Sequence, residues 1–219
     1  KSTNKKATKK KVARKAAKTK KSKKVAKKKA SKKKVAKAAA SKKAAASKKT
    51  VAKAKPATAD LKTYDPQVAV GMSVPNFKAD MTGDQTFELA GHQGKTVVIF
   101  FYPKDSTPGC TIEGHDFTKL QSEFQSRGAE VFGVSRDSMK SHENFKSKQS
   151  YTIDLISDPN EEMCAIFGTI KLKNMYGKMV RGIDRSTFVI GPDGKLLKEW
   201  RSVKVPDHAA EVLDYVKGL

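Results

Sequence analysis

The stretch "YPKDSTPGCTIEGHDF" (residues 102–117) lies where an apolar run gives way to a helical period. Upstream, "TVVIFFY" (96–102) is continuously apolar, the pattern of a strand buried on both faces. Downstream, Phe117, Leu120 and Phe124 recur at i, i+3 and i+7, one face of a helix. Between them stands Cys110. A cysteine in the first turn of a helix meets open backbone N–H groups and the positive end of the helix dipole, which favour its thiolate.

Working outward, strands and helices alternate. "AEVFGVS" (129–135) reads as a strand and residues 138–148 as a helix. "DLISD" (154–158) reads as a short strand before a helix over 161–167. "STFVIGPDGKLLKEW" (186–200) reads as a hairpin turning at Pro192, Asp193 and Gly194. A last helix is expected to be capped by Asp207, with Ala209, Val212 and Val216 on its inner face. This order implies an α/β domain, a central mixed sheet flanked by helices on both sides.

The remainder is a different kind of polymer. Residues 1–59 hold 26 of the 46 Lys and Arg, no Asp or Glu, no aromatic, and no Leu, Ile or Met. The other 160 residues carry 20 basic and all 22 acidic side chains. Lysines four apart repel, and no apolar stripe exists to dock, so residues 1–59 read as a disordered Lys/Ala-rich tail. Residues 60–67 read as linker and 68–219 as the folded domain, which is long enough for one core. A polycation of this density suits the phosphates of nucleic acid, bound without sequence preference. The runs Lys9, Lys10, Lys11, then Lys27, Lys28, Lys29, then Lys32, Lys33, Lys34 are its candidate contacts. An import or solubilising role for the tail stays open.

Two cysteines exclude a disulfide-stapled secreted domain and, with four scattered histidines, speak against a metal site; no cofactor is expected. No apolar run reaches membrane-spanning length, and no apolar core follows the basic start as a secretory signal requires. The expected location is cytoplasmic, on the nucleoid in a bacterium or in the nucleus of a eukaryote. The chain opens on Lys1 rather than Met, which reads as a trimmed or partial chain.

Within "TPGC", a dithiol reductase would carry cysteine at the first position, where Thr107 stands. Threonine can donate a hydrogen bond but cannot close a disulfide. The pattern Pro103, Thr107, Cys110 meets the P-x-x-x-T-x-x-C signature, and the segment resembles the peroxiredoxins of the bacterioferritin-comigratory (Q-type) subfamily. The resemblance extends over "GMSVPNFKADMTGDQTFEL", "KTVVIFFYPKD" and "GIDRSTFVIGPDGK". It implies a thioredoxin-like fold, a monomer, and reduction of hydrogen peroxide or organic hydroperoxides by a peroxidatic cysteine, with thioredoxin or another thiol as reductant. Carried onto this sequence, Cys110 is the nucleophile. Thr107, Arg185 and the N–H groups of Gly109 and Cys110 are donors to the peroxide. Pro103 shields the sulfur, and Glu113 orients Arg185. Many such relatives carry a resolving cysteine five residues after the first; here that position is His115. Cys164, in "EEMCAIFG", reads as a core thiol or an unusual resolving cysteine. A one-cysteine cycle is expected. The alternatives are a histone-like, DNA-compacting protein with a redox-active domain, and a peroxide sensor.

Overall fold

A computed structural model describes residues 62–175 and 177–219. The tail and its lysine runs lie outside the described residues. Among the described residues, nine strands and four α-helices follow one another: β1 (Lys78–Met81), β2 (Gln85–Glu88), a 3-10 turn (Leu89–His92), β3 (Thr96–Phe101), α1 (Pro108–Ser126), β4 (Ala129–Ser135), α2 (Met139–Gln149), β5 (Asp154–Ser157), α3 (Glu162–Phe167), β6 (Ile170–Met175), β7 (Lys178–Ile183), β8 (Ser186–Ile190), β9 (Leu196–Trp200) and α4 (His208–Lys217).

Seven strands form one mixed sheet in the order β2-β1-β5-β4-β3-β8-β9. The β3, β4 and β5 strands run parallel, linked by the α1 and α2 crossovers; β8 adds to β3 antiparallel, with Val98 opposite Val189. β3 is buried along its whole length. Its odd positions Val97, Ile99 and Phe101 enter one core, and Val98, Phe100 and then Tyr102 enter the other. That split follows from the twofold alternation of a strand, and it places two separate cores on the two faces of the sheet. Phe117 and Phe124 of α1, Phe145 of α2, and Val212, Leu213 and Val216 of α4 fill one core. Phe167, Met163 and Cys164 of α3 fill the other, together with Phe77, Phe87, Ile170 and Ile183. The expected sheet with cover on both sides is found, and every strand and helix read from the sequence is present.

Three features depart from that reading. Two strand pairs had no sequence signal assigned: β1–β2, and β6–β7, a two-stranded hairpin apart from the main sheet. Asp207 does precede α4, but its backbone is left-handed (φ 61°) and its side chain makes no cap hydrogen bond. A capping side chain needs extended backbone to reach back to the helix amides. The described part of the supposed linker is docked. Gln67 N–H donates to the Ile166 carbonyl, and the Tyr64 hydroxyl donates to Glu161. Gly168, with φ +61°, lies so close to Pro66 that a Cβ would sit 2.6 Å from the Pro66 nitrogen, so glycine is required there on both counts.

Candidate active site

Strand β3 ends at Phe101, and a six-residue loop delivers the chain to α1. Thr107 takes the N-cap position with extended backbone (φ −90°, ψ 149°), and Pro108 opens the helix, where its missing N–H costs nothing. Cys110 is therefore in the first turn, as expected. The first main-chain donor of α1 with a partner is Thr111, bonded to the Thr107 carbonyl at 2.9 Å. Among the described residues no hydrogen bond engages the N–H of Gly109 or Cys110, so these donors remain open beside the sulfur.

Cys110 is 3% exposed. Its Sγ accepts a hydrogen bond from Arg185 Nη2 at 3.3 Å. Arg185 lies just before β8, the strand paired with β3, so the sheet register carries it 75 residues along the chain to the start of α1. The other guanidinium nitrogen, Nη1, donates to Glu113 Oε2 in an ion pair whose side chains are 14% and 1% exposed. Glu113 occupies the same turn of α1 as Cys110. Its second oxygen, Oε1, is buried with no hydrogen-bond partner among the described residues. Burial pushes the Glu113 carboxyl up to about 7, against the opposing pull of Arg185. Burial would lower the Arg185 guanidinium, but the negative charges of Glu113 and Cys110 outweigh it and hold it above its usual value.

Other sequence candidates fall into place less directly. The Thr107 hydroxyl donates to the Lys104 carbonyl at 3.0 Å, so its proton is turned to the loop, and its lone pairs are left for other donors. Pro103 is exposed on the rim of a cleft of about 390 Å³ shared with Lys104, Arg136, Asp137, Pro159 and Glu161. His115 is half-buried, with Nε2 3.1 Å from Gln149 Oε1 of α2 and its ring edge-on to Tyr151. Cys164 is completely buried in the core on the far face of the sheet from Cys110. Burial and the nearby Asp158 charge push its thiol far up. The two sulfurs are not brought together.

Sequence reasoning missed Tyr151. Its hydroxyl donates to the Thr111 carbonyl at 2.9 Å, and its ring lies against Gly114, where a Cβ would come within 2.6 Å. A glycine within the helix face that carries the core aromatics was the available signal, since a helix tolerates one only for a reason such as close packing.

A family model described as AhpC/TSA matches residues 70–198. The chain belongs to that family. It is 53% identical over 138 residues to peroxiredoxin Bcp of Xanthomonas campestris, covering 63% of this chain and 86% of that protein. It is 40% identical over 152 residues to peroxiredoxin Bcp of Bacillus subtilis, covering 69% and 97%. The bacterioferritin comigratory protein of Xanthomonas campestris, solved as trapped intermediate and ligand complexes, matches with a TM-score of 0.65 and 47% identity over 70% of this chain and 98% of that one. The AhpC/TSA match covers the loop, Cys110, Glu113 and Arg185 together, and the thiol-peroxidase class expected from the sequence stands. Among the described residues, no helix is long and apolar enough to cross a membrane.

Proposed function

We propose that this peroxiredoxin reduces hydrogen peroxide and alkyl hydroperoxides with Cys110 as its single redox-active sulfur, and that the basic tail holds it near nucleic acid. The observation that carries the catalytic reading is the Arg185 bridge, one nitrogen on Cys110 Sγ at 3.3 Å and the other on Glu113. A cation fixed on the sulfur favours thiolate over thiol. The thiolate attacks one peroxide oxygen. An S–O bond forms, the O–O bond breaks, sulfur is oxidised by two electrons, and the departing oxygen leaves as alkoxide or hydroxide and takes a proton from water. Arg185 and the open N–H groups of Gly109 and Cys110 stand where that developing charge needs donors.

The sulfenic acid then meets an external thiol, such as thioredoxin or a small thiol. That thiol's sulfur bonds Cys110 with loss of water, and a second thiol releases it as a disulfide. Cys164 takes no part, because the sheet separates the two cores. The alkyl substrate class is supported by the Xanthomonas campestris bacterioferritin comigratory protein, whose alkyl peroxide reduction activity is described with its complex structures. The nucleic-acid role rests on the charge division: 26 basic and no acidic residues in 1–59, against 20 and 22 in the rest. The protein would act as a monomer in the cytoplasm, on the nucleoid of a bacterial host. The test is a single-turnover peroxide reaction followed by addition of thioredoxin, glutathione or dithiothreitol. Peroxide loss of one equivalent followed by thiol-dependent turnover is expected. A protein whose Cys110 reacts no faster than free cysteine would refute the reading.

A further inference from the structure

The loop that presents Thr107 and the first turn of α1 is fastened from below by a second set of polar groups. Asp105, in the middle of this loop, has a buried carboxylate. Tyr102 Oη donates to its Oδ1 at 2.9 Å, and Ser141 Oγ of α2 donates to its Oδ2 at 2.7 Å. His142 of α2, fully buried, sets Nδ1 3.1 and 3.0 Å from the two oxygens. Its Nε2 lies 3.2 Å from the Ile156 carbonyl of β5. A carbonyl only accepts, so Nε2 carries a hydrogen. Nδ1 also lies 3.4 Å from Tyr102 Oη, so Tyr102, Asp105, Ser141 and His142 form one buried network. His142 and Asp105 thus form a buried, directly bonded pair. Burial would raise the Asp105 carboxyl, but the His142, Ser141 and Tyr102 contacts outweigh it and hold it below its usual value.

The main chain of the loop is tied as well. Asp105 N–H donates to Asp137 Oδ2 at 2.8 Å; the same oxygen accepts from Ser135 Oγ at 2.8 Å, and Ser157 Oγ donates to the Asp137 carbonyl at 2.7 Å. The next residue, Ser106, is held in the left-handed region at φ 58°. A non-glycine residue keeps such a conformation only when its surroundings impose it. Thr107, its neighbour, then takes the extended N-cap geometry from which α1 starts.

We infer that Asp105 and His142 are positioning residues for the peroxide reaction: their buried pair fixes the bend at Ser106 and thereby the placement of Thr107 and of the Gly109 and Cys110 amides. This rests on the peroxidase reading for its kinetic consequence, and on the loop geometry alone for its structural one. The pair lies among Tyr102, Phe145 and Ile156, remote from solvent, so it acts through the loop and not on substrate.

The test uses the full chain and the variants Asp105→Asn, His142→Gln and the milder Ser141→Ala. Three quantities are read: the single-turnover rate with hydrogen peroxide, the iodoacetamide alkylation rate of Cys110, and amide hydrogen exchange over residues 104–111. Alkylation needs only the thiolate, whereas peroxide also needs the placed donors. The expected result in folded Asp105→Asn or His142→Gln is a peroxide rate lowered at least tenfold, alkylation within about threefold of wild type, and exchange over 104–111 at least tenfold faster. Ser141→Ala should move in the same direction by less. If the two stronger variants do not fold, Ser141→Ala decides alone. An unchanged peroxide-to-alkylation ratio with unchanged exchange overturns the inference, and so does a rise in alkylation that matches general unfolding. Should wild type itself show no peroxide selectivity, the peroxidase reading falls. The exchange result then still decides whether the pair orders the loop.

Discussion

Replacing Arg185 by Ala should separate rate from stability. The guanidinium makes two contacts, to Cys110 Sγ at 3.3 Å and to the Glu113 carboxylate. Losing the first removes a fixed donor at the reacting centre, worth about 3–4 kcal/mol of barrier, or two to three orders of magnitude in rate. Losing the second leaves Glu113, 1% exposed and with Oε1 already unpartnered, without any partner for Oε2. Breaking a buried pair by deleting one member costs about 3–5 kcal/mol of stability. Protonation limits that cost. Glu113 titrates at about 7 with Arg185 holding it down, so without Arg185 it is neutral at pH 7. In the double variant Arg185→Ala/Glu113→Gln the buried side chain is likewise neutral and likewise short of partners, so its stability at pH 7 should stay close to that of the single variant while the rate stays two to three orders of magnitude low. Urea denaturation gives the stability and stopped-flow peroxide consumption gives the rate. A single variant within tenfold of wild-type rate, or a double variant that regains the rate, would mean that Arg185 is not a donor at the reacting centre.

Glu113→Gln alone should change the pH dependence of stability. The folded protein holds the Glu113 proton up to about 7, and the unfolded chain releases it near 4.5, so folding takes up a proton between those values. Wild-type stability therefore loses on the order of 3 kcal/mol from this group as pH rises through that window, and is flat in it above. The difference between wild-type and variant denaturation curves at several pH values should show that slope. Cys164→Ala should leave single-turnover peroxide loss within about twofold and cost about 1–2 kcal/mol in urea denaturation, as loss of a small core side chain does. Removing residues 1–59 should leave the peroxide rate unchanged and abolish binding to duplex DNA by fluorescence anisotropy. For the full chain, ten lysine–phosphate contacts would give a slope of log affinity against log salt of about −9.

Much of the fold was legible because its central strands are buried on both faces. "TVVIFF" and "AEVFGVS" carry no alternation to be misread, and the helix period after Cys110 is set by phenylalanines that do pack inward. The peripheral strands were not legible for the opposite reason. In the hairpin β6–β7, "IKLK" does carry the apolar/lysine alternation of a strand, but β7 exposes the adjacent Met179 and Val180 and shows no such alternation, so the pair as a whole had no clear signature. Its turn does have a signal, Asn174 Oδ1 accepting from Gly177 N–H. In the site, Cys110, Arg185 and Glu113 could be named from sequence because each bears chemistry at a recognisable position. Asp105, His142 and Tyr151 could not, since their roles depend on burial and on contacts 37 to 40 residues apart in the chain. Asp207 shows the limit of local rules, for its residue type suits a cap and its backbone does not.

If Cys110 is the single redox-active sulfur, peroxide oxidises it alone and no internal disulfide follows. Intact mass of the protein after one equivalent of hydrogen peroxide, with and without dimedone, tests it directly. The expected result is a dimedone adduct that maps to Cys110 in wild type and in Cys164→Ala, and none in Cys110→Ser. A loss of two hydrogens without a dimedone adduct in wild type, or an adduct that persists in Cys110→Ser, would contradict it.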